Sequence, residues 1–110
     1  MNDREILAAL YATVENRRDN PKEGSYTCYL LDKGLDKILK KVGEECSETI
    51  IAAKNGDNSE TVYEISDLIY HLMVMMVEQD ISLDEVLTEL DKRSEKTGNL
   101  KKFHEVDKNT

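Results

Sequence analysis

With 110 residues and a net charge of −8, the chain has room for one domain with a modest core, and it lacks the basic footprint of a general nucleic-acid binder. Trp is absent, Pro occurs once, and Leu, Ile, Ala, Glu and Lys recur, which favours helices over a sheet. No N-terminal stretch has the form of a signal peptide, and the longest apolar run, 68–77, is interrupted by His71 and too short to span a bilayer, so a cytoplasmic protein without membrane contact is expected.

The first predicted helix covers about 3–19, where Ile6, Leu7, Leu10 and Val14 recur at helical spacing. It ends before Asn20-Pro21, because proline disfavours helical backbone in the residue ahead of it. Residues 22–27 read as a polar loop containing Gly24. The second helix starts between 31 and 35 and runs to 54, with Leu35, Ile38, Leu39, Val42, Cys46, Ile50 and Ala53 as its apolar stripe. Asn55-Gly56 stops it. Cys46 in that stripe is expected to be a small buried hydrophobe, and its isolation from Cys28 predicts neither a disulfide nor a metal-ligand pair. Asp57 with Glu60 caps a third helix over 58–79. Ser82 with Glu85 caps a fourth over 83–97, which carries Leu83, Val86, Leu87 and Leu90 on one side and ends at Gly98. The expected fold is all-α, an antiparallel bundle of four to five helices in 1–98, followed by a charged tail, 99–110.

The third helix is apolar on two sides. Val62, Ile65, Ile69, Leu72 and Met76 are expected to face the intramolecular core, and Tyr63, Tyr70, Val74 and Val77 to face away. A narrow strip of Glu64, Asp67, His71 and Glu78 runs between them. A helix apolar on two sides needs partners on two sides, so a homodimer built through this helix is expected.

Four acidic residues in two helical pairs carry the chemistry. Glu45 and Glu48 lie one turn apart on the second helix, with Glu44 beside them, and Glu64 and Asp67 lie one turn apart on the third. A single Glu-x-x-Glu is ordinary on a solvated helix surface. The second pair differs because it interrupts an apolar helix, where ionised groups are costly unless paired or metal-bound. Two such pairs on packed antiparallel helices gather four carboxylates, which repel one another unless a cation sits between them. Oxygen ligands suit a hard divalent cation, and Mg²⁺ is the expected cofactor. Lys37 and Lys41 share the flank of Glu45 and Glu48, and a metal site beside lysines suits a polyphosphate. Glu44 is placed to orient or deprotonate an attacking water.

Other candidates have both a binding and a packing interpretation. His71, one turn beyond Asp67, suits a substrate contact or a hydrogen-bonded structural role. Ser25 and Thr27 suit a phosphate near a helix start, or a simple cap and turn. Arg17, Arg18 and Arg93 are phosphate candidates or ordinary surface arginines, and Tyr26 and Tyr29 stack on a base or pack. Met73, Met75 and Met76 fill core space, and His104 carries no signal.

Gly24-Ser25-Tyr26-Thr27, Lys33-Gly34-Leu35-Asp36-Lys37-Ile38, Lys41-Val42-Gly43-Glu44-Glu45 and Glu48-Thr49 together resemble the phosphoribosyl-ATP pyrophosphohydrolases of histidine biosynthesis. Glu64 to Leu72 and Leu90-Asp91-Lys92-Arg93 continue the resemblance, which covers about 5–97. The acidic pairs alone point only to the wider MazG-like all-α nucleotide pyrophosphohydrolases. The resemblance implies a dimeric helical bundle and Mg²⁺-dependent conversion of 1-(5-phosphoribosyl)-ATP to 1-(5-phosphoribosyl)-AMP and pyrophosphate. It implies Glu45, Glu48, Glu64 and Asp67 as metal ligands and Glu44 as the residue handling water. Ser25, Tyr26, Thr27, Lys37, Lys41, His71 and Arg93 are then the expected substrate contacts. The cyclohydrolase that acts next is expected to be a separate protein. The rival readings are a house-cleaning dNTP pyrophosphohydrolase and a non-catalytic helical interaction module.

Overall fold

The computed structural model describes residues 2–95, which form five α-helices and no strand. They are α1 (Asp3–Asp19), α2 (Tyr26–Lys33), α3 (Leu35–Lys54), α4 (Asn58–Glu78) and α5 (Leu83–Ser94). The all-α expectation holds. The expected domain limit at 98, the tail 99–110 and His104 lie outside the described residues, as does the end of the fourth predicted helix.

The helix limits follow from local chemistry. Asn2 and Ser82 each form a reciprocal capping box, with Glu5 and Glu85 respectively, and the Asp57 side chain accepts from the Glu60 backbone N–H. Gly56, at φ 72°, turns the chain out of α3 in a conformation that favours glycine. The expected polar loop of 22–27 is shorter than predicted, because a separate two-turn helix begins at Tyr26. Ser25 caps it, and Gly34, at φ 95°, separates it from α3.

α3 packs most extensively on α4, and α1 and α2 cover one side of that pair. The core gathers Val14 of α1, Leu30 of α2, Ile38 of α3 and Met73, Val74, Met76 and Val77 of α4. α5 joins through Leu83, and the Tyr11 hydroxyl donates to the Ile81 carbonyl just before it at 2.6 Å.

Two expectations about helix faces are corrected. On α4, Val74 and Val77 face the intramolecular core and are fully buried, whereas Val62 and Ile65 stay 64% and 43% exposed. The prediction holds for Met76, which is in the core, and for Tyr63, which is exposed, but it is reversed for Val62, Ile65 and Ile69 and for Val74 and Val77. On α3, Ile38 is buried, but Leu39, Cys46, Ile50 and Ala53 of the predicted stripe are exposed. Periodicity locates an apolar face without saying which neighbour covers it. The face of α3 that does meet the rest of the chain carries Ile38, Glu45 and Ala52, seven residues apart. The core thus fills one end of the α3–α4 pair, and carboxylates occupy the adjoining stretch.

Candidate functional site

Glu45 on α3 is the centre of the acidic cluster. Carboxylate oxygens of Glu45, Glu48 and Glu64 lie within 4.8 Å of one another, and Glu45, Asp67 and His71 form a second set within the same distance. The four predicted ligands therefore converge in two overlapping groups that meet at Glu45. Antiparallel packing of α3 on α4 accomplishes this, since each pair spans one turn of its own helix.

Burial is uneven. Glu45 and Glu64 are 3% and 6% exposed, whereas Asp67 is half-buried and Glu48 is open to solvent. One buried oxygen of each, Oε2, has no hydrogen-bond donor. Unsatisfied buried carboxylate oxygens are costly, and they mark a place where a cation or a proton belongs. The Glu64 pKa is pushed up to about 8, first by its interaction with the Glu45 carboxylate, then by burial and by Glu48. Burial is the main cause of the upward shift at Glu45, with Asp67 and Glu48 adding to it.

The lysines divide. The Lys41 ammonium lies 3.2 Å from Glu44 and 4.0 Å from Glu45, so it reaches the edge of the cluster. Its hydrogen bond to Glu44 holds its pKa above the usual lysine value. Lys37 instead sits over the Tyr29 ring, 5.9 Å from the centroid. Glu44 is turned to Lys41 and is not one of the clustered carboxylates.

His71 is 2% exposed, and both of its ring nitrogens are engaged. Nδ1 donates to the Asp67 carbonyl at 2.8 Å, which leaves Nε2 to accept from the Tyr26 hydroxyl at 3.0 Å. Thr27 hydrogen-bonds the neighbouring Tyr70 hydroxyl. Two residues of the predicted substrate block thus dock the start of α2 onto α4. Tyr26 and His71 stand out separately in the sequence, with no sign there of their bond. The residues are 45 apart in the chain, and no local spacing reports such a contact.

Ser25 accepts from the Cys28 backbone N–H at 3.2 Å, the capping geometry rather than a free hydroxyl. Ser25→Ala is expected to lower stability by about 1 kcal/mol, read by urea denaturation. Stability unchanged by that substitution would argue that the cap contributes nothing. Arg93 is bonded to Glu89 on its own helix at 3.3 Å, and no described contact carries it to the acidic cluster. Arg18 is committed to Asp19 and Asp80, and Arg17 lines a separate cavity with Tyr26 and Tyr29.

No helix among the described residues is long and apolar enough to cross a membrane. Residues 7–94 match the family model described as phosphoribosyl-ATP pyrophosphohydrolase. The chain is 57% identical over 101 residues to the phosphoribosyl-ATP pyrophosphatase of Clostridium botulinum, covering 92% of each chain. It is 48% identical over 102 residues to the phosphoribosyl-ATP pyrophosphatase of Bacillus cytotoxicus, covering 93% of this chain and 95% of the relative. It is also 58% identical over 92 residues to the histidine biosynthesis bifunctional protein HisIE of Caldanaerobacter subterraneus, covering 84% of this chain and 45% of that longer one.

Proposed function

The chain belongs to the phosphoribosyl-ATP pyrophosphohydrolase family, and on that premise we propose that it hydrolyses 1-(5-phosphoribosyl)-ATP to 1-(5-phosphoribosyl)-AMP and pyrophosphate in the cytoplasm, as an early step of histidine biosynthesis. The observation that carries this reading is the pair of buried carboxylates, Glu45 and Glu64, each with an oxygen that no donor satisfies. An all-oxygen donor set with excess negative charge fits Mg²⁺, and Glu45, Glu48, Glu64 and Asp67 are the residues to hold it. When bound there, the ion supplies Lewis-acid stabilisation of charge at phosphorus.

The protein's own groups do the rest. Lys41, at the edge of the cluster, supplies a point charge for a phosphate oxygen, and Lys37 adds a second farther out. Glu44 is the candidate for orienting the attacking water, with Lys41 as the group that holds its carboxylate in place. His71 keeps Tyr26 and the Asp67 backbone in fixed relation. Water attack at the α-phosphorus, with pyrophosphate leaving, accounts for both products, and the gain comes from positioning and electrostatics. The phosphoribosyl-AMP so formed is the substrate of the cyclohydrolase that follows, and the bifunctional relatives match this unit over under half of their length.

The test is pyrophosphate release in Mg²⁺ from phosphoribosyl-ATP, ATP and the four dNTPs. Release from phosphoribosyl-ATP far above the others is expected. Release from a dNTP instead assigns a house-cleaning enzyme, and release from none assigns an interaction module.

A second copy of the chain is the proposed occupant of the exposed apolar face. Leu39 and Ile50 on α3 and Val62, Ile65 and Ile69 on α4 leave a continuous pair of helices uncovered, at 37–65% exposure. Ile65→Glu is expected to convert a dimer to a monomer in sedimentation equilibrium at micromolar concentration. A wild type that sediments as a monomer would remove the dimer.

A further inference from the structure

Between the C-terminal end of α1 and the first turn of α2 lies a cavity of about 860 Å³, within the size range of small-molecule sites. Arg17, Lys22, Ser25, Tyr26 and Tyr29 are among its lining residues. Its position relative to the acidic cluster is defined by one side chain. Tyr26 stands in the cavity wall, and its hydroxyl donates to His71, which sits against Asp67. A ligand that extended past Tyr26 would have one end at the carboxylates and the other in the cavity.

The cavity combines flat and cationic groups. Tyr26 and Tyr29, with ring centroids 6.2 Å apart, are 46% and 44% exposed, so their uncovered parts offer an aromatic surface to a base or sugar. Of its cations, Arg18 is neutralised by Asp19 and Asp80. Arg17 has only the Asn16 side-chain amide as a partner, at 3.3 Å, and neither it nor Lys22 has a carboxylate at ion-pair distance among the described residues. Glu23 and Asp32 also line the cavity, but both are exposed.

Phosphoribosyl-ATP has two anionic ends: the triphosphate, and the 5-phosphate of the ribose attached to its purine. The acidic cluster and its lysines address the first. We propose that the α1–α2 cavity receives the phosphoribosyl arm, with Arg17 and Lys22 pairing with its 5-phosphate and the Tyr26–Tyr29 surface supporting the sugar and purine. This assignment rests on the activity proposed above and identifies what separates the substrate from ATP.

The experiment compares kcat/KM for phosphoribosyl-ATP with that for 1-ribosyl-ATP, which lacks only the 5-phosphate, in wild type, Arg17→Ala, Arg17→Lys and Lys22→Ala. Wild type is expected to prefer the phosphorylated compound. Arg17→Ala should reduce that preference about 10- to 100-fold, mainly through KM, the size expected for losing a charge-assisted hydrogen bond. Lys22→Ala, in a loop where folding is not at risk, should reduce it in the same direction, and Arg17→Lys should recover part of it. Equal loss on both compounds, an unchanged preference in both alanine variants, or a wild type that cleaves both compounds equally well would overturn the assignment. A wild type that cleaves neither compound overturns the proposed activity itself, and this assignment with it.

Discussion

Glu45→Gln is expected to lower kcat/KM on phosphoribosyl-ATP by at least about 100-fold while raising the melting temperature of the chelator-treated protein. The two effects have one origin. Glu45 is 3% exposed, it belongs to both carboxylate groups, and its Oε2 has no donor. An amide keeps the shape, removes the charge and supplies an N–H₂ that can donate to Glu64 or Asp67. Repulsion in the cluster falls, so the fold gains several degrees. The same change removes the one proposed metal ligand that belongs to both groups, so turnover is expected to fall. Lys41 retains Glu44 at 3.2 Å and is not left without a counter-charge. Helical circular dichroism of the variant should match wild type. A loss of activity accompanied by a lower melting temperature would indicate ordinary structural damage instead.

The melting temperature of the chelator-treated wild type is expected to fall as pH rises from about 4.5 to about 8, and Mg²⁺ is expected to reverse that fall. Glu64 has a folded-state pKa of about 8 against 4.5 for an ordinary glutamate. The folded state therefore binds the proton more tightly than the unfolded state. This contribution is fully present below pH 4.5 and is lost as pH rises through 8. Glu45 is displaced in the same direction, so it strengthens the trend. A divalent cation competes with the proton for the same oxygens. The gap between melting curves with and without Mg²⁺ should therefore be widest above pH 8 and close towards pH 5. Scanning calorimetry or a dye-based melt across that range gives the answer. A gap independent of pH would mean that the ion binds away from Glu64.

Much of the local architecture was legible because it is written in neighbouring residues. Asn20-Pro21, Asn55-Gly56, Asp57 with Glu60 and Ser82 with Glu85 mark ends that the structure places where expected. α2 was not legible as a separate helix. It has only 8 residues, too few for periodicity to register, and its stop, Gly34, is a single residue before α3. The misplacement of Val62, Ile65, Val74 and Val77 on α4 has a different cause. Both sides of that helix are apolar, and the choice between them depends on where α1 and α2 pack, which no local pattern contains. The same ambiguity put Cys46 and Ile50 in the expected apolar stripe, whereas they are exposed in the chain.

The acidic cluster was legible for an energetic reason. Glu64 and Asp67 interrupt a helix otherwise built to be buried, and such a cost needs compensation. Their convergence on Glu45 required only that consecutive helices pack antiparallel. The docking of Tyr26 on His71 and of Thr27 on Tyr70 joins positions more than 40 residues apart, and it emerged only with the fold. So did the cavity at Arg17 and Lys22, whose members come from a helix end, a loop and the helix that sequence reasoning missed.

Titration of Mg²⁺ into chelator-treated wild type, with pyrophosphate release from phosphoribosyl-ATP followed at each step, tests most directly whether the carboxylate cluster is a metal-dependent catalytic centre. Release should be negligible in chelator and rise to a plateau with Mg²⁺, and Asp67→Asn should lower that plateau strongly. Turnover of wild type at full rate in chelator, or of Asp67→Asn at the wild-type plateau, would contradict it.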